Sequence, residues 1–159
     1  WDSNRQSSAR SSMIDRKHIG ATTEEVSIDV ELSQLRLFCQ AIGEINPVFL
    51  DADAARAAGH ERIPTPPTYP QTLLNLSPFK KNLVLDVIQA DLARMLHGEQ
   101  VFEHHHPIKV GDTIRMRQTV ADIYDKKDGA LEFIVLETLA RNQDDVVCAT
   151  LKSVAVIRN

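Results

Sequence analysis

Two hydrophobic periods succeed one another along this chain, and the point where they change divides it. Between Glu25 and Val30, the apolar residues Val26, Ile28 and Val30 alternate with Glu25, Ser27 and Asp29, which predicts a half-buried first strand. Leu35, Phe38, Cys39 and Ile42 then recur at helical spacing, with Ser33 as the expected N-cap and Gly43 as the C-terminal cap. Asn46-Pro47 reads as a turn, and Asp51 as the cap of a short alanine-rich helix that closes at Gly59. The stretch from Ile63 to Leu74 organises the rest of the chain. Its prolines are unsuited to a helix interior but suit a helix entrance. A helix is therefore expected to start between Pro67 and Gln71, with Thr68 as its cap and Pro78 after its end.

Residues Phe79 to Arg94 fit either a helix or a buried connection, and Val84, Leu85, Val87, Ile88 and Leu92 favour the helix. From Leu96 the period becomes two. Strands are expected near Leu96–His106, Thr113–Tyr124, Leu131–Ala140 and Val146–Ile157. Pro107 with Gly111-Asp112 marks the first turn, and Asp125 to Gly129 and Asn142 to Asp145 mark two hairpins. Leu131, Phe133 and Val135 lie on one face of their strand, Ile134, Leu136 and Ala140 on the other. A strand apolar on both faces belongs mid-sheet. The expected fold is α+β: one early strand, a helical insertion and a four-stranded meander, with the antiparallel five-stranded sheet wrapped around the proline-gated helix.

At 159 residues the chain is long enough for one domain with a substantial core. A net charge of -4 argues against nucleic acid or an anionic membrane as partner, and no apolar run approaches the roughly 18 residues that span a bilayer. Cys39 and Cys148 sit in apolar patterns without a motif, as buried thiols of a reducing cytosol do. No apolar segment typical of a signal peptide stands near the N-terminus, so a cytoplasmic protein is expected. Residues Trp1 to Ser12 are polar and read as a tag, a vector remnant or a disordered extension, with the domain spanning 13–159 and Met13 as its natural start. Gly98 and Gly111 form no phosphate-binding pattern, and no dinucleotide fingerprint occurs. No cofactor is expected.

Three stretches carry a resemblance: Phe38 to Asp51 (FCQAIGEINPVFLD), Ala58-Gly59 through Thr65-Pro66-Pro67-Thr68-Tyr69, and Leu96 to Asp112 (LHGEQVFEHHHPIKVGD). In this order they resemble the MaoC-like dehydratases, and more closely their non-catalytic N-terminal type, over roughly Ile14 to Ile157. The resemblance implies a hotdog fold. It also implies hydratase chemistry, in which water adds across a conjugated enoyl thioester with an Asp and a His as general base and acid. Active members read Asp-x-Asn-Pro-x-His-x-Asp; here Glu44 stands at the first Asp and Phe49 at the His, while Asn46, Pro47 and Asp51 remain. Phenylalanine transfers no proton. The resemblance thus implies vestigial positions at Glu44, Asn46, Phe49 and Asp51, and substrate contacts at Pro67, Thr68, Tyr69 and His97. The implied ligand is an acyl-CoA or acyl-carrier-protein thioester. The implied partner is a second hotdog subunit, either a catalytic MaoC-like chain that supplies the dyad or another copy.

Several residues carry two readings. His104-His105-His106 invites a metal, but only His104 and His106 would share a strand face, and exposed strand histidines are the ordinary case. His97 is either a strand-end histidine bonded to the backbone or a pocket-lining group. Tyr69 is either a core aromatic or a hydroxyl that meets a thioester oxygen. Lys80-Lys81, Lys126-Lys127, Arg115 and Arg117 attract CoA phosphates or an acidic carrier on one reading, and are solvated surface charges on the other. Two further functions stay open beside the subunit role. One is a self-sufficient hydratase or thioesterase using Glu44, Asp51 or His97; the other is an acyl-thioester binding protein without turnover.

Overall fold

A computed structural model describes residues 13–159; the expectation for Trp1 to Ser12 lies outside the described residues. The elements are β1 (Val26–Asp29), α1 (Leu32–Ile42), α2 (Ala52–Ala57), α3 (Tyr69–Leu76), β2 (Met95–His104), β3 (Thr113–Lys126), β4 (Leu131–Arg141) and β5 (Val147–Arg158). The strands form one antiparallel sheet in the order β1-β3-β4-β5-β2. With α3 packed inside it, this is the α+β hotdog arrangement.

The sheet corrects the expected meander. β3, β4 and β5 are joined by hairpins, but β2 pairs with β5 and β1 with β3. Residues 105–112, between β2 and β3, are too many for a tight turn. Their backbone bonds go elsewhere. Thr65 donates to the Ile108 carbonyl at 2.9 Å, Val110 to that of Ile63 at 2.9 Å, and Gly111 to that of Val30 at 2.9 Å. The segment thereby crosses from one edge of the sheet to the other beneath the loop that precedes α3. β2 also ends at His104, so strand alternation does not extend to His106.

β4 lies in the middle, with Ile134, Val135 and Leu136 all buried. Its buried Glu132 accepts from Ile14 N at 2.7 Å and from Asn159 Nδ2 at 2.7 Å, which pins both ends of the described chain to the sheet.

Helix starts differ from the expected caps. α1 begins one residue before Ser33, with Glu31 at the N-cap position and no side-chain cap bond. Gly43 does close it, in the left-handed region at φ 71°. Asp51 caps α2 by accepting from Ala54 N at 2.8 Å. Thr68 occupies the N-cap position of α3 but is already αR and makes no side-chain cap bond. The entrance is instead closed by backbone bonds from Tyr69 N to Pro66 O and from Gln71 N to Thr68 O. Residues 79–94 are not a regular helix. A single π-helical turn, Leu83–Val87, is capped by Asn82, and a 3-10 turn spans Leu92–Arg94.

Two apolar clusters fill the concave face. Leu35 and Cys39 of α1 and Tyr69 and Leu73 of α3 pack with Ile114, Met116, Ala140 and Leu151. The turn at 83–88 covers the other half, against Val120, Ile123, Ile134 and Ile157. Both cysteines are free and buried, and burial pushes each thiol up from its ordinary value, with the charge of Glu44 adding to this at Cys39 and that of Asp112 at Cys148. No helix among the described residues is long and apolar enough to cross a membrane.

Candidate functional site

α3 stands between two cavities beside β2. The smaller, of about 470 Å³, is lined by Phe49, Pro66, Pro67, Pro70, His60 and His104 to His106 among others. The larger, of about 600 Å³, is lined by Gln71 and Leu74 of α3, Met95, His97 and Gln100 of β2, and Gln118 of β3 among others. Both fall within the usual size of small-molecule sites, about 300–1,000 Å³.

The turn that carries Phe49 is built by capping. Asn46 Oδ1 accepts from Val48 N at 3.1 Å, and Pro47 opens the 3-10 turn Pro47–Phe49. Glu44 Oε1 accepts from Asn46 N at 2.8 Å. The carboxylates of Glu44 and Asp51 and the amide of Asn46 are therefore engaged by nearby backbone, and none of the three lines either cavity. From this motif Val48 and Phe49 line the smaller cavity, and both also pack against the core.

The helix entrance has few donors to offer. Pro66, Pro67 and Pro70 have no N–H. Tyr69 N and Gln71 N already donate to Pro66 O and Thr68 O. A developing enolate oxygen here would meet a wall poor in amide donors, with Thr68 N among those that remain. No carboxylate lines the smaller cavity. Its chemistry is that of an apolar holder with imidazoles at its rim.

The other expected site residues divide. Pro67 lines the smaller cavity and His97 the larger, so the two are not brought into one pocket. Thr68 lines neither. Tyr69 is fully buried: its ring meets Phe38 edge-on at 5.1 Å, its hydroxyl has no protein partner among the described residues, and burial pushes the phenol up. It stands in the core and lines neither cavity. His104 stacks on Phe102 with ring centroids 6.2 Å apart, and His105 Nε2 lies 3.3 Å from Thr150 Oγ1. Among the described residues no group of three His, Cys, Asp or Glu side chains is placed to hold a metal. Arg115 pairs with Glu25 and Asp145, and Lys126 lies over the Tyr124 and Phe133 rings.

Sequence reading missed His60 and the histidine run as walls of the Phe49 cavity, and Gln71, Gln100 and Gln118 as walls of the other. A signal for Gln100 existed. Gly98 interrupts β2, where the register shifts between His97 and Glu99, so Gln100 rather than Glu99 shares the cavity with His97.

A family model described as the FAS1-like dehydratase domain region matches residues 17–151. The chain is 31% identical over 130 residues to a UPF0336 protein of Saccharopolyspora erythraea, covering 82% of this chain and 81% of that one. Matches to curated relatives span between 60% and 85% of their lengths. The fold is similar to that of a MaoC-like dehydratase, with a TM-score of 0.78 at 20% identity over 89% of this chain and 42% of that chain. It is also similar to the HadBC (3R-hydroxyacyl-ACP dehydratase) complex from Mycobacterium tuberculosis, with a TM-score of 0.72 at 21% identity over 87% of this chain and 96% of that chain.

Proposed function

The chain belongs to the FAS1-like dehydratase-region family, and from that premise we propose that it is a non-catalytic hotdog subunit of an (R)-specific enoyl-thioester hydratase or 3-hydroxyacyl-thioester dehydratase. It shapes the acyl pocket in the cytoplasm, while a second hotdog subunit supplies the Asp/His dyad. The observation that carries this reading is Phe49. It faces a cavity at the entrance of α3, at the position where active relatives have histidine, and Glu44 faces backbone instead of that cavity.

Hydration needs a base to take a proton from water and an acid to deliver one to the α carbon. A phenyl ring performs neither step, and the prolines of the entrance remove donors that would hold the enolate oxygen. What remains is a shaped, largely apolar holder for a thioester's chain. The HadBC neighbour, itself described as a complex, supports a two-subunit assembly.

The test mixes this chain with a hotdog subunit of the same genome that carries the intact Asp-x-Asn-Pro-x-His motif. Turnover of crotonyl-CoA or a longer enoyl-CoA should exceed that of either chain alone. A mixture no faster than the partner by itself would contradict the reading.

A further inference from the structure

The larger cavity has the wrong walls for a plain hydrocarbon. Leu74, Phe79, Val84, Leu85, Met95 and Leu136 give it apolar surface, but five carboxamides also line it: Gln71, Asn75, Asn82, Gln100 and Gln118. No carboxylate does, and Lys81 and His97 are its only ionisable lining groups. Four of the amides are engaged. Asn82 Oδ1 accepts from Val84 N and Leu85 N, Gln118 Nε2 donates to Thr138 Oγ1 at 3.3 Å, and Gln71 Nε2 donates to Asn75 Oδ1 at 2.9 Å. That leaves Gln71 Oε1 and both amide atoms of Gln100 buried without a protein partner among the described residues.

We propose that this cavity takes an acyl group carrying its own hydroxyl or keto oxygen along the chain, and that Gln100 reads that oxygen. The inference rests on the acyl-thioester reading above and assigns part of the chain to this larger cavity, on the other side of α3 from the Phe49 cavity. A hydroxyl donates and accepts, as the Gln100 amide does, whereas a saturated chain leaves the buried amide unmet. The amide is covered by its neighbours. The last torsion of a glutamine is broad, so the amide turns toward the chamber as a chain enters. The glycine bulge at Gly98 is what sets Gln100 on the cavity side, beside His97 and across from Ser153, which also lines the cavity.

The test is calorimetric titration of the full chain with decanoyl-pantetheine, with matched chains hydroxylated at carbon 5, 7 or 9, and with pantetheine alone. At least one hydroxylated chain should bind about tenfold or more tightly than the plain one. Gln100→Leu, or Gln100→Met should the leucine variant not fold, should erase that preference while still binding the plain chain. Equal binding of plain and hydroxylated chains by the natural protein overturns this inference and leaves the acyl-pocket reading standing. Failure of every acylated probe to bind overturns both. Pantetheine alone binding as tightly as its acylated forms, with loss on Gln100→Leu, assigns the amide to the carrier arm and overturns the proposal.

Discussion

Arg62, in the loop before α3, donates at 2.8 Å to Asp112 at the head of β3, whose carboxylate is only 2% exposed. The same carboxylate accepts from Gln143 Nε2 at 3.0 Å and from Lys109 N at 2.9 Å, and Arg62 also donates to Val110 O at 2.8 Å. The clamp ties together the loop that enters α3, the crossing segment and the β4–β5 turn. It therefore sets where Pro66 and Pro67 stand at the smaller cavity. Gly111, at φ 91°, lies inside it, and a Cβ there would meet Arg62 Nη1 at 2.9 Å.

Burial alone would raise the Asp112 carboxyl, but the Lys109 amide, the Gln143 amide and the Arg62 guanidinium together hold it below its ordinary value of 3.8. A carboxyl lowered in the folded state contributes stability that is full above its unfolded value and lost as pH falls through the folded one. Asp112→Asn should cost about 1–3 kcal/mol at pH 7 and flatten the acid limb of the stability curve. Denaturant melts of both proteins between pH 7 and 3 measure this. Parallel acid limbs would mean that other carboxylates dominate.

Gly98→Ala should destabilise the fold and disturb the bulge. The added Cβ would sit 2.7 Å from Val156 Cγ2 and 3.2 Å from the Val154 carbonyl. Overpacking of this kind costs about 1–3 kcal/mol. A thermal melt matching that of the natural protein would show that β2 shifts freely, and the placement of Gln100 would then lose its structural cause.

The outline of the fold was legible because each element had a local signal. Period-two runs marked β2 to β5, the double-faced apolar run put β4 mid-sheet, and the prolines placed the start of α3. The place of β2 was not legible, because strand order depends on where residues 105–112 find backbone partners, and those lie in the loop at 63–65 and at Val30. Thr68 failed as a side-chain cap because its backbone is already αR, not the extended conformation from which an N-cap hydroxyl reaches the N2 or N3 amide. Phe49 and Pro67, singled out from the sequence motifs, both line the smaller cavity. His60 and the histidine run were not legible as its walls, since residues this far apart in sequence meet only through the crossing segment.

Glu44→Asp combined with Phe49→His should raise crotonyl-CoA hydration by the isolated chain, and either change alone should do far less, because the groups act as a unit. General acid and base groups are typically worth about 10²–10⁴-fold each. The gain should fall short of that, since Glu44 now caps Asn46 and the α3 entrance lacks donors. Loss of absorbance at the enoyl-thioester band reports it. Single variants as active as the double one would show that no dyad geometry remains.

The outer edge of β2 is unpaired among the described residues, and Leu96 and Val101 on it are 49% and 40% exposed. Such an edge calls for cover. Sedimentation at micromolar concentration should therefore give about twice the 17.8 kDa chain mass, alone or with a partner subunit. A clean monomer, with the catalytic partner present as well, would contradict the proposed assembly.

The most direct test of the missing dyad is turnover by the natural chain alone. Enoyl-thioester absorbance should fall barely faster than in buffer, and Glu44→Gln should leave that rate unchanged. Robust turnover by the natural chain that survives Glu44→Gln would contradict the missing dyad and move the search for a site to His97 and Asp51.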